Sequence, residues 1–147
     1  MEDLVAAYRL LVADVYELAG ASRRSSDELA AAVGHTAARW HVMSAVSDAP
    51  ATVPDVARRL GQSRQNVQRV VNDLVASGAV ELRDNPAHER SPLVALTDAG
   101  DRQLAELFAA SERDRAELLA RADVSERQLQ QARRTLRRLL DAFAERH

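Results

Sequence analysis

The sequence predicts a mainly α-helical fold carrying a small β-hairpin wing, and three observations predict it. First, two amphipathic helices follow one another between Val53 and Gly78, across a tight turn at Leu60-Gly61-Gln62. Second, Ala79-Val80-Glu81-Leu82-Arg83 alternates apolar and polar residues, and Pro92-Leu93-Val94-Ala95-Leu96 runs back after a polar loop, the pattern of a hairpin. Third, both ends of the chain are helical by periodicity but carry no globular body to cover their apolar faces. A helix pair followed by a hairpin is a winged helix-turn-helix. The expected division is therefore 1–34 for N-terminal helices, 35–97 for the winged helix-turn-helix, and 98–147 for C-terminal helices. The terminal parts are expected to pack on each other and on a second subunit.

The chain has 147 residues, 46% hydrophobic and 29% charged, enough for one domain with a helical appendage. Aromatics are 3%, so the core must be mostly Leu, Val and Ala. There is no cysteine, which excludes disulfides, thiolate metal sites and cysteine redox sensing. No apolar run reaches the length of a membrane span, and no secretory leader pattern opens the chain, so the expected compartment is the cytoplasm. All 20 basic residues are arginine, which points weakly to a bacterium of high genomic GC. The net charge of -2 does not advertise a nucleic-acid partner. Its distribution matters more than its mean. Between Val53 and Asn72, Asp55 stands against Arg58, Arg59, Arg64 and Arg69.

In chain order, Leu4, Tyr8, Leu11, Val15 and Leu18 recur every three or four residues, the seam of a helix packing on helices. Gly20-Ala21-Ser22 is expected to interrupt it, and Ser25 with Glu28 to cap a second, short helix through Val33. The alternative is one long, kinked helix. Thr36 is placed to cap a helix from Ala37 to Val46 carrying Trp40 and Met43. Ser47 to Thr52 is expected to be a loop. In the helix pair, Val53, Val56, Ala57 and Leu60, then Val67, Val70, Val71, Leu74 and Val75, follow the i, i+3, i+4, i+7 spacing of a buried stripe. Ser63 is an N-cap and Gly78 a stop. Thr97 caps the next helix, Ala122-Asp123-Val124 breaks it, and Ser125 with Gln128 forms a capping box for the last one. That last helix carries Leu129, Ala132, Leu136, Leu139, Leu140 and Phe143.

Ser63, Arg64, Gln65, Asn66, Gln68 and Arg69 lie between the apolar positions of the second helix. Amide and guanidinium groups can bond two edge atoms of one base, worth about 1–3 kcal/mol of discrimination each. An ordinary solvated face would carry the same residue types. The glycine turn, the serine cap and the hairpin that follows decide for a DNA-reading helix in a major groove. Arg90, at the wing tip, suits a minor groove, where A·T tracts concentrate negative potential. Arg58 on the first helix and Arg83 at the wing base suit phosphates, or are plain surface charge.

The order of elements, and above all VARRLGQSRQNVQRVVNDLVASGAVE and RDNPAHERSPLVALTDAGDRQL, resembles the MarR family of bacterial transcriptional regulators over nearly the whole chain. In that family the wing commonly carries Asp-x-Arg ahead of a strand ending in Leu-Thr-x-x-Gly. Arg90 and Leu96-Thr97-Asp98-Ala99-Gly100 match, whereas His88 stands where the aspartate usually is. If that aspartate braces the arginine, the brace is weaker here. The resemblance implies a triangular homodimer joined through its terminal helices. It also implies repression of transcription and release from DNA when a small aromatic or phenolic molecule binds.

Tyr8, Tyr16, Arg39, Trp40 and His41 are the candidate lining for such an effector, the arginine pairing an acid. The competing reading makes Trp40 simply core. His35, His41, His88 and His147 lack metal-ligand spacing, so neither metal nor other cofactor is expected. No phosphate loop, nucleophile elbow or His-Glu-x-x-His occurs, so no catalytic residue is assigned and an enzyme is not expected. The rival to a DNA-binding homodimer is a winged-helix module that docks another protein. The net charge favours that rival, and the amide- and arginine-rich helix opposes it.

Overall fold

The computed structural model of the protein describes residues 2–146. Met1 and His147, which end the two terminal segments, lie outside the described residues. The elements are α1 (Glu2–Ala32), α2 (Ala37–Ala45), β1 (Ala51–Thr52), α3 (Val53–Leu60), α4 (Arg64–Ala76), β2 (Val80–Arg83), β3 (Leu93–Leu96), α5 (Asp98–Ala122) and α6 (Glu126–Ala144). The fold is mainly helical, with one three-stranded antiparallel sheet in the order β1-β3-β2. Among the described residues no helix is long and apolar enough to cross a membrane.

The chain begins differently from the sequence expectation. No break occurs at Gly20-Ala21-Ser22, and Ser25 and Glu28 lie inside α1, so they do not cap a new helix. A glycine within a helix costs only about 1 kcal/mol relative to alanine, and a serine caps only a chain that is not already helical before it. Packing decides the matter. Ser26 and Ala30, one turn apart, are buried, and Ala30 enters the core that holds Trp40 and Met43. Gly34, at a φ of 77°, then turns the chain. Thr36 Oγ1 accepts from the Arg39 amide at 3.2 Å to start α2.

The core fills the space between α2, α3, α4 and the sheet, with Trp40, Met43, Val56, Val71, Leu74 and Val94 fully covered. Of the expected stripe, Val56, Ala57, Val67, Val71 and Leu74 are buried. Leu60, Val53 and Val70 are partly buried against the core, whereas Val75 is 40% exposed. Val75 stands one position past Leu74, about 100° round the helix and beyond the edge of the buried stripe.

The segment expected to be a loop contains a strand. Ala51 pairs with Val94 and Thr52 with Leu93, making β1 the third strand. Thr52 also caps α3, its Oγ1 accepting from the Asp55 amide at 3.3 Å. Strands β2 and β3 pair Val80 with Leu96 through to Arg83 with Leu93, but of the alternating apolar residues in β2 Val80 is buried and Leu82 is exposed.

One joint holds the end of α4, the base of the wing and the start of α5. The Ala79 amide donates to Leu74 O at 2.9 Å, and the Thr97 amide donates to Ala79 O at 3.1 Å. The Thr97 hydroxyl meets the carbonyls of Gly78 and Ala79, and its oxygen accepts from the Gly100 amide at 3.1 Å. Gly100 is buried where any Cβ would collide with the Ala79 carbonyl.

By backbone contacts the chain forms two compact units, one running to Ala110 and the other from Ser111. Leu104 and Leu107, in the early turns of α5, belong to the core of the first. In the second, α5 ends at Ala122, and Asp123 turns at a φ of 53°. Ser125 and Gln128 then form the expected capping box, the Gln128 amide donating to Ser125 Oγ at 3.2 Å and the Ser125 amide to Gln128 Oε1 at 2.9 Å. No residue of α6 is buried.

The joint makes a prediction. Gly100→Ala forces a methyl into the Ala79 carbonyl and is expected to lower unfolding free energy by about 2–3 kcal/mol, the upper range for overpacking. Urea denaturation followed by circular dichroism measures this; a loss below about 0.5 kcal/mol, the range of an ordinary surface change, contradicts the close approach.

Candidate nucleic-acid interface

The second helix of the pair is held at a fixed angle by two local devices. Gly61 takes a left-handed φ of 64°, and the Gln62 amide returns to Ala57 O at 2.9 Å, closing α3. Ser63 Oγ accepts from the Asn66 amide at 3.1 Å and opens α4. That bond uses an oxygen lone pair, so the hydroxyl hydrogen stays a donor. With Val67, Val71 and Leu74 buried, Ser63, Arg64, Gln65, Asn66, Gln68 and Arg69 are all exposed.

The exposed residues fall on two sides of α4. Arg64, Gln65 and Gln68 share one side, and Gln68 Nε2 donates to Asn72 Oδ1 at 2.9 Å. Asn66 and Arg69 share the other, with Arg69 Nη2 reaching Asn66 Oδ1 at 3.5 Å. Asn72 was missed in the sequence reading. Its signal was its position four residues past Gln68, on the same helical strip.

A concavity of about 380 Å³ lies between α4 and the wing. Arg64, Gln65 and Gln68 line it from α4, and Arg90, Ser91 and Pro92 from the wing. Val53, Pro54 and Leu82 form its apolar floor. The fold thus gathers four of the predicted DNA-facing side chains around one groove, although Arg90 lies 22 positions beyond Gln68 in the chain. The apolar members were not foreseen.

The two remaining arginines are tethered. Arg58 pairs with Asp55 at 3.1 Å, and Arg83 reaches Glu81 Oε1 through Nη2 at 2.9 Å and Nε at 3.0 Å. All four side chains are at least half exposed. Such pairs are worth about 0–1 kcal/mol, so a phosphate can displace the acid at little cost.

The candidate effector residues are not brought together. Trp40 is 2% exposed in the core, Tyr16 is 76% exposed on α1, and Tyr8 is 37% exposed two turns earlier. Arg39 is half-buried. Only His41 reaches a cavity, one of about 250 Å³ against the other side of α4. Its polar wall comes from Arg23, His41, Gln62, Asn66 and Arg69, its apolar wall from Leu60, Val42, Val67 and Val70. The half-covered Leu60 and Val70 are therefore explained by this cavity.

Residues 33–91, from the end of α1 through the wing loop, match the family model described as "MarR family". Over that part, the winged helix-turn-helix, the chain is similar to the MarR family. An uncharacterized protein of Mycobacterium tuberculosis (strain H37Rv) is 61% identical over 94 residues, 64% of this chain. The match spans 66% of that relative's length, just under two thirds. Among solved structures, the transcriptional regulator BldR from Sulfolobus solfataricus superposes with a TM-score of 0.78 at 18% identity, covering 91% of this chain and 97% of that one. A mutant MarR from E. coli complexed with operator DNA superposes with a TM-score of 0.66 at 21% identity, covering 90% and 96%. The fold of this chain is thus shared with structures of transcriptional regulators.

The division of α4 into inner and outer faces is testable by stability alone. Val71→Ala, fully buried, is expected to cost about 2 kcal/mol from two lost methyl groups and a partly collapsed cavity. Gln65→Ala is expected to stay within about 0.5 kcal/mol of the parent. Equal losses in thermal or chemical unfolding would contradict the assignment.

Proposed function

We propose that this chain is a MarR-family, sequence-specific DNA-binding transcriptional regulator, a cytoplasmic homodimer that represses from a pseudo-palindromic operator. The observation that carries the reading is the groove shared by Arg64, Gln65 and Gln68 of α4 and Arg90 of the wing. A major groove about 12 Å wide admits a helix, and guanidinium and amide groups are the side chains that read purine edges there. A wing arginine beside such a helix reaches the flanking minor groove. Ser63, Asn66 and Arg69 complete the reading face, and Arg58 and Arg83 serve the phosphates once released from Asp55 and Glu81. The likeness to a MarR structure carrying operator DNA supports the same reading.

The homodimer reading rests on uncovered apolar surface. Leu4 and Leu18 on α1 are 73% and 69% exposed. Leu129, Leu140 and Phe143 on α6 are also exposed. Contiguous apolar faces of this kind mark association surfaces. Residues 1–34 and 98–147 are the segments assigned to it, and two heads so joined address half-sites about 34–36 Å apart.

An effector fits the cavity on the other side of α4. Its arginines suit a carboxylate, and its Leu and Val wall suits an aromatic or lipophilic body. Asn66 and Arg69 line that cavity, so a ligand there engages side chains that DNA also needs.

Two measurements test this function. Fluorescence anisotropy with the DNA upstream of the protein's own gene is expected to show preference over random duplex. The log–log salt slope should be steeper than about −3, as several released counterions require. Arg90→Ala is expected to weaken binding about tenfold, the loss of one charge-assisted contact. Equal affinity for both duplexes at moderate salt sinks sequence-specific regulation, and an unchanged Arg90→Ala affinity sinks the wing contact. Second, a panel of benzoate-class aromatic acids is expected to raise the melting temperature and release DNA, with both effects reduced by Arg23→Ala. A panel that moves neither quantity removes the effector from the proposal.

A further inference from the structure

We propose that Asn85 is the positioning residue of the wing, its carboxamide setting the loop that presents Arg90. This rests on the reading of Arg90 as a DNA contact. Among the described residues Arg90 makes no ion pair, and His88, where the family resemblance places an aspartate, supplies no carboxylate to brace it. The placement of Arg90 therefore falls on the backbone of the nine residues between β2 and β3. Asn85 closes that loop from within. Its Oδ1 accepts from the Ala87 amide at 3.1 Å, turning the chain at Pro86. Its Nδ2 donates across the loop to Ser91 O at 2.9 Å, six residues on and next to Arg90. Its own carbonyl accepts from the His88 amide at 3.1 Å, and the Ser91 amide donates to His88 O at 3.2 Å.

Both ends of the carboxamide are in use, and that makes asparagine specific. Serine keeps an oxygen for the Ala87 amide but cannot reach Ser91. Aspartate keeps the acceptor, loses the donor and sets a negative charge against a carbonyl. Alanine loses both bonds. Arg90 and Ser91 line the same groove as Gln65 and Gln68, so a loop released at Ser91 frees the arginine from its register with α4.

The test is a double-mutant cycle on the full chain, with a labelled duplex of the upstream DNA of its own gene. Asn85→Ala is expected to weaken binding about five- to tenfold, the size of two lost hydrogen bonds. In the Arg90→Ala background the same substitution is expected to change affinity less than about twofold, because linked residues do not add. Hydroxyl-radical footprinting of the minor grooves, with dimethyl sulfate footprinting of guanine N7, supplies a readout that a loss of fold would not give. Protection of the flanking minor grooves is expected to disappear in Asn85→Ala, as in Arg90→Ala, while guanine N7 protection in the central major grooves persists. Asn85→Ser is the second variant, and it is expected to weaken binding like alanine with an unchanged melting temperature. Full affinity in Asn85→Ala, or equal losses in both backgrounds, overturns the proposal. If Arg90→Ala itself binds normally, the underlying wing contact fails and the Asn85 clamp fails with it. Loss in Arg90→Ala with none in either Asn85 variant overturns the clamp alone.

Discussion

The constraint on which the reading head depends is the joint at the Ala79 carbonyl. That oxygen accepts from Thr97, and the chain of α5 passes so close that only glycine fits at position 100. Leaving the end of α4, the chain has one path, into β2. Returning from β3, it has one path, into α5. The register follows, since Val80 must then face Leu96 and Arg83 must face Leu93. A one-residue slip would turn Val94 out of the core and exchange the faces of the whole hairpin. The wing tip is therefore aimed at α4 by a contact at the wing's base. The hydrogen bonds concerned are neutral, partly covered and individually modest, about 0.5–1.5 kcal/mol each, so the close approach at Gly100 is the firmer constraint.

Helix α4 divides its exposed surface between two depressions. Arg64, Gln65 and Gln68 look toward the wing, and Asn66 and Arg69 toward α1 and α2. The division follows from helical geometry, since residues three or four apart share a side and neighbours do not. It gives the proposed regulator a simple physical route. A ligand beside Asn66 and Arg69 alters one edge of the reading helix without repacking Val67, Val71 or Leu74. Coupling of this kind requires no motion of the core, only a difference in what two side chains can reach in the bound and free states.

How much of this was legible in the sequence depended on the range of the interaction that fixes each feature. The caps at Thr36, Ser63, Thr97 and Ser125 bond within three residues of themselves, and the residue types alone located them. The alternating wing strands were equally local in their signal. Strand β1 was not legible, because two residues become a strand only by pairing with Val94 and Leu93, some forty positions away. The unbroken course of α1 was hidden too, because burial of Ser26 and Ala30 against other elements outweighs the glycine. At the site, the polar face of α4 could be read, but its neighbours could not. Trp40 and His41 are adjacent in sequence and about 100° apart on the helix, and one enters the core while the other reaches a cavity. Spacing alone could not tell which side of α2 each would take, so the expected grouping with Tyr8, Tyr16 and Arg39 did not form.

The charge balance also reads differently once the side chains are placed. A chain with net charge of -2 is a poor candidate for binding DNA by bulk attraction. Within residues 35–97 two of the acids are paired with arginines. Asp55 and Glu81 sit on Arg58 and Arg83, the two arginines assigned to phosphates, while Arg64 and Arg90 border the groove. An exposed pair of this sort holds its arginine weakly, so a phosphate lattice of the right spacing can replace both acids together. A single stray anion gains little by replacing one. On the proposed function, indiscriminate attraction is thereby reduced while Arg64 and Arg90 keep their charge. Specificity is a difference between affinities, and lowering the nonspecific one widens it as surely as raising the specific one. On that argument the acidic average is not evidence against DNA, because the acids next to the reading head weaken the binding that carries no sequence information.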